Sequence, residues 1–133
     1  LKEVKRGCPH VDNEDVPEEL RMTAEDLQKF EYDGSTDSKF EARWNYILDE
    51  MIWAFEQHSD SDDGEDQYYH NVDQLDMVFT PVEGKPGSTL SFNYQKDPSK
   101  PKYWVDREGI KQHQERMAKG VRLFAKYYSA LWD

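Results

Sequence analysis

Ile110, Gln114, Met117, Val121, Phe124, Tyr128 and Leu131 follow one another at alternating steps of four and three residues. A stripe with that rhythm lies along one side of an α-helix and has to be covered by another element. It constrains the chain more than any other feature, because a period near 3.6 cannot serve a strand. The pattern predicts a helix over residues 107–132, with Asp106 as N-cap and Glu108 at the positive end of the dipole. Gln114 is the one polar member of the seam. Gly120 costs a helix about 1 kcal/mol relative to alanine; close approach of a neighbouring element is the expected reason, and a ligand contact the lesser one.

A second long helix is expected to start at Ser38-Lys39-Phe40-Glu41, a capping-box pattern, and to end near His58. Phe40, Trp44, Ile47, Leu48, Met51 and Phe55 form its main apolar face, and Tyr46, Ile52 and Trp53 widen it. Residues 59–66 then concentrate charge that no core would hold. Alternation supplies the strand signal: Leu75, Met77 and Phe79 on one side of a turn, Leu90, Phe92 and Tyr94 on the other. Glu83-Gly84-Lys85-Pro86-Gly87 is that turn by composition. A lone hairpin is marginal in water, so its apolar face is expected to cover the helices. Shorter features are a proline-begun turn at Pro17 and a short helix from Thr23 carrying Leu27 toward Phe30, followed by a loop at Asp33-Gly34-Ser35-Thr36-Asp37.

The expected fold class is therefore α+β: two long packed helices with a β-hairpin and acidic irregular loops. At 133 residues one domain is the natural reading. A hydrophobic fraction of 36% is low, but 14% aromatic residues supply large apolar areas for a core. Leu1-Lys2-Glu3-Val4-Lys5-Arg6-Gly7 resembles the last turns of a helix with a glycine cap, and Pro9 stops it. A segment upstream is expected from that pattern.

Charge excludes some partners. Residues 1–95 carry 8 Lys+Arg against 23 Asp+Glu, and residues 96–133 carry 9 against 5, within a net charge of -11. Such a field disfavours nucleic acid and anionic membrane, and attraction between the two parts of the chain is its simplest use. The single cysteine, Cys8, excludes an internal disulfide and fits a cytoplasmic setting. No apolar run is long enough to span a bilayer.

Candidate chemistry is sparse. With Gly64 at the sixth position of a calcium loop, the twelfth falls on His70 rather than a glutamate, so that motif fails. His10, His58, His70 and His113 show no metal-ligand spacing, and neither a metal nor a cofactor is expected. Asp49, Glu50 and His113 are the weak catalytic candidates, since a carboxylate inside an apolar helix stretch suits proton transfer if buried. The helices lack the paired E-x-x-E and E-x-x-D motifs of magnesium-dependent nucleoside-triphosphate pyrophosphohydrolases. Arg107, Lys111, Lys119, Arg122 and Lys126 form a basic flank on the last helix, interrupted by Glu115, with Tyr127 and Trp132 near it. An ordinary solvated or salt-bridging face is the bland account of that flank.

Arg43-Trp44 with residues 47–56 resembles a block in an uncharacterised family encoded by tailed bacteriophages, marine ones included. Arg116, Gly120, residues 123–128 and Leu131-Trp132 are similar to the family's C-terminal block, and residues 11–12 and 15–18 to a shorter one. The resemblance implies an additional N-terminal segment and expression inside an infected bacterial cell; it implies no activity, cofactor or catalytic residue. Three functions are thus open. The first is a non-enzymatic phage accessory or interaction domain whose partner is a host or phage protein or a second copy. The second is a small metal-dependent hydrolase using Asp49, Glu50, Glu56 and histidines. The third is a single-stranded nucleic-acid binder working through the basic flank.

Overall fold

The computed structural model describes residues 7–132, so the expected helix tail at residues 1–6 lies outside the described residues. In chain order the elements are α1 (Ala24–Asp33), α2 (Phe40–Ser59), β1 (Tyr69–His70), β2 (Asp76–Pro81), β3 (Ser88–Asn93), β4 (Trp104–Val105) and α3 (Arg107–Tyr127). Short 3-10 turns join them, and one at Tyr128–Leu131 tightens the end expected to be plain α-helix. The fold is α+β, as expected. The chain divides into two compact units: residues up to Asp63 together with those from Gln114 onward, and Gly64–His113.

In the first unit, α1 is set by local chemistry. Thr23 and Asp26 form a reciprocal capping box, and Gly34 closes the helix in the left-handed conformation at φ 73°. The start of α2 differs from expectation. Ser38 is not the N-cap; that position is Lys39, whose side chain makes no capping bond. Tertiary contacts take over: Arg43 pairs with Asp37 and donates to the Leu20 carbonyl at 3.0 Å, while Lys39 Nζ donates to the Glu19 carbonyl at 2.6 Å. The Arg43 guanidinium holds the Asp37 carboxyl below its ordinary range.

Trp44, Ile47, Leu48 and Met51 of α2 are buried with Val11, Val16, Leu123 and Tyr127 in one hydrophobic cluster. Trp44 meets Tyr127, whereas Glu50 and Trp53 meet Arg116, so the two helices run antiparallel. Gly120 explains their closeness. A Cβ there would collide with Ala54 and lie 2.6 Å from the Glu50 carbonyl oxygen. Glycine is thus required by helix–helix contact, the expected reason. The seam is only half as expected. Met117 is buried and Ile110, Phe124 and Leu131 are partly so, but Gln114, Val121 and Tyr128 are exposed. The buried line runs instead through Met117, Gly120, Leu123 and Tyr127, because contact at the glycine rotates that edge of the helix inward.

In the second unit, β2 and β3 pair antiparallel with Met77 opposite Phe92 and Phe79 opposite Leu90. Those four therefore share one face. The expected burial of that face does not occur: Met77 is 60% exposed, Phe79 65%, and Leu90 and Phe92 48% each. The hairpin is held at its base by polar bonds and ring contacts. Buried Gln74 accepts from Lys96 N–H through its carbonyl (3.1 Å) and from Asp97 N–H through Oε1 (2.9 Å). Tyr103 N–H donates to the Tyr94 carbonyl at 2.7 Å, with their rings stacked. The β1–β4 ladder pairs Tyr69 with Val105 and His70 with Trp104. Asp106 caps α3 as expected, accepting from Gly109 N–H at 2.9 Å. Buried His113 meets the Tyr68 hydroxyl through Nδ1 at 3.1 Å.

Candidate interaction groove

Residues on one side of the α2–α3 pair leave an apolar groove in the first unit. Leu48, Met51, Ile52 and Phe55 of α2 line it with Phe124 and Leu131, and Glu56 and Ser59 are its polar members. The spacing that widened the apolar face of α2 produces this wall: Ile52 and Phe55 lie beside the buried line of Leu48 and Met51 rather than on it. Across from them, rings continue along the surface. Phe55 meets Phe124 edge-on at 5.1 Å, Phe124 meets Tyr128 at 5.4 Å, and Tyr128 meets Trp132 at 5.9 Å. Ile52, Phe55, Val121, Tyr128 and Trp132 are all exposed. A continuous exposed apolar strip of this kind is unusual on a surface that covers itself.

The catalytic candidates occupy different settings. Glu50 is buried and accepts two bonds from Arg116, at 2.8 Å from Nη2 and 3.2 Å from Nε, and that guanidinium also lies 3.9 Å over the Trp53 ring. Asp49 and Gln114 are exposed, as is Glu56. His113 belongs to the second unit with Tyr68.

Two members of the basic flank, Lys119 and Lys126, are used internally. Lys119 donates to the Tyr46 hydroxyl at 2.8 Å. Lys126 Nζ sits among Asp12 (2.7 Å), Glu14 (3.3 Å) and Asp15 (2.6 Å), which hold its pKa well above the ordinary lysine value. Burial, aided by Asp15, pushes the neighbouring Tyr127 phenol up to about 12. That acidic trio is the one group of convergent metal-type ligands among the described residues, and the chain's own ammonium lies within it. Arg107, Lys111 and Arg122 are exposed. No helix among the described residues is long and apolar enough to cross a membrane.

No family model, curated protein or solved structure matches the chain. The sequence does not mark the groove as a surface, because the same apolar spacing serves the buried Leu48 and Met51 and the exposed Ile52 and Phe55. The signal was present: Ile52, Phe55, Val121 and Tyr128 make the apolar faces of two helices wider than one contact between them can cover.

Proposed function

We propose that this protein is a non-enzymatic interaction domain that docks another protein through the α2–α3 groove. The observation that carries the reading is the exposed apolar strip of Ile52, Phe55, Val121, Tyr128 and Trp132 along a groove whose lining is apolar apart from Glu56 and Ser59. The polar residues of the helices support it as well. Glu50 is held by Arg116, buried His113 meets the Tyr68 hydroxyl, and Asp49 and Gln114 face solvent, so none is a buried polar group without a partner. The resemblance to phage-encoded proteins suggests an accessory factor acting in the cytoplasm of an infected bacterium on a host or phage protein.

Affinity capture from such cells tests this, using the wild-type chain beside Ile52→Asp and Phe55→Asp variants whose circular dichroism is unchanged. A defined protein retained by the wild type and lost by both variants is the expected result. Equal recovery by all three, or turnover of a substrate that survives both substitutions, overturns it.

A further inference from the structure

The partner class follows from how charge is placed around the groove, and the inference rests on the interaction reading above. Glu56 is the charged member of the groove lining; Asp49, seven residues before it, lies on the same edge of α2 by helical spacing, and Asp60 follows at the helix end. The only Lys or Arg of α2, Arg43, is buried against Asp37. The α3 edge is uncharged, formed by Val121, Ala125 and Tyr128 with Trp132 beyond. Arg122, Lys119 and Lys126 line a separate hollow with Glu14 and Asp15. One wall of the groove is thus acidic and the other neutral.

The shape selects among backbones. Both walls are helix side chains, so an extended peptide would find no strand edge to satisfy its N–H and C=O groups. A helix brings those groups already paired. The α2 wall from Leu48 to Ser59 is about 16 Å long at 1.5 Å per residue, or three turns. A second copy of this chain would bring the same acidic edge and a further charge of -11, which opposes pairing groove to groove.

We infer that the groove binds a basic amphipathic helix of a partner protein. Its apolar residues at i, i+3 or i+4, and i+7 lie over Met51, Phe55 and Phe124, and its Lys or Arg residues run along the flank facing Glu56 and Asp49.

Three synthetic peptides of about 14 residues test this: an amphipathic leucine–lysine helix with lysines on one flank, a composition-matched scramble without an apolar face, and a leucine–glutamate version. Binding is followed by tryptophan fluorescence and by chemical-shift mapping of the Ile52 and Ala125 methyls, at about 150 mM salt. The lysine helix is expected to bind at least about tenfold more tightly than either control. Phe55→Asp and Ile52→Asp should abolish the difference from the scramble, and Glu56→Lys should weaken the lysine helix while strengthening the glutamate one. Equal binding of helix and scramble, shifts confined to other surfaces, or indifference to Glu56→Lys would overturn the inference. Loss of a captured cellular partner on Phe55→Asp, with no binding of the lysine helix, would leave the interaction reading standing and remove only the basic helix.

Discussion

In the first unit Val11, Val16, Met22, Trp44, Ile47, Leu48, Met51, Ala54, Met117, Leu123 and Tyr127 are buried. In the second the buried side chains are Gln74 and His113, while Met77, Phe79, Leu90 and Phe92 stand exposed. Apolar burial is worth about 1.5–3 kcal/mol for each large side chain. A net hydrogen bond contributes about 1 kcal/mol. The first unit therefore rests on many shared contacts, and the second on a few directed ones whose geometry is set locally. Both leave apolar surface open, for different reasons. The groove is surplus width on helices that already have a core; the hairpin face has no apolar layer behind it within its own unit.

The largest effect is expected from Trp44→Ala, which empties the centre of the first unit. It should cost about 3–5 kcal/mol, read by denaturant unfolding followed through α2 helicity. Asp37→Asn comes next, at about 3 kcal/mol, because it leaves the fully buried Arg43 charge without its partner. The same pair fixes a pH signature. The Asp37 pKa is depressed in the fold, so its contribution is present above the ordinary value of 3.8 and lost as pH falls through the folded value. Acid unfolding of the wild type should show this loss, and Asp37→Asn should flatten it.

Gly120→Ala should cost about 1–3 kcal/mol, since its Cβ forces α2 and α3 apart. A neutral result would mean the helix contact is looser than that. Phe79→Ser is expected to change stability by no more than about 0.5 kcal/mol, and hydrogen exchange should be far faster in β2 and β3 than in the centre of α2. A Phe79→Ser loss comparable to that of Trp44→Ala would break the contrast between the units.

Local chemistry was legible where it acts over a few residues. The Thr23–Asp26 capping box, Asp106 at the start of α3 and the hairpin alternation follow from spacing alone. The start of α2 was not legible. Ser38 has the right neighbours for a cap, but Asp37 and Lys39 are drawn to Arg43 and Glu19, and such pairings carry no periodic signature. Lys126 with Asp12, Glu14 and Asp15 is similar: attraction between the basic and acidic parts of the chain was foreseeable, and its address was not. Of the site, Phe55, Val121 and Tyr128 are legible as apolar, but not as exposed.

Sequence by itself determined that two long helices and a hairpin form, because periods of 3.6 and 2 are properties of the chain. Tertiary structure decided which part of each apolar face is covered. Helix contact at Gly120 sets how α3 is turned, taking Leu123 and Tyr127 inside and leaving Val121 and Tyr128 outside. Periodicity states that a helix has an apolar side; only the neighbour's position states how much of that side remains for a partner.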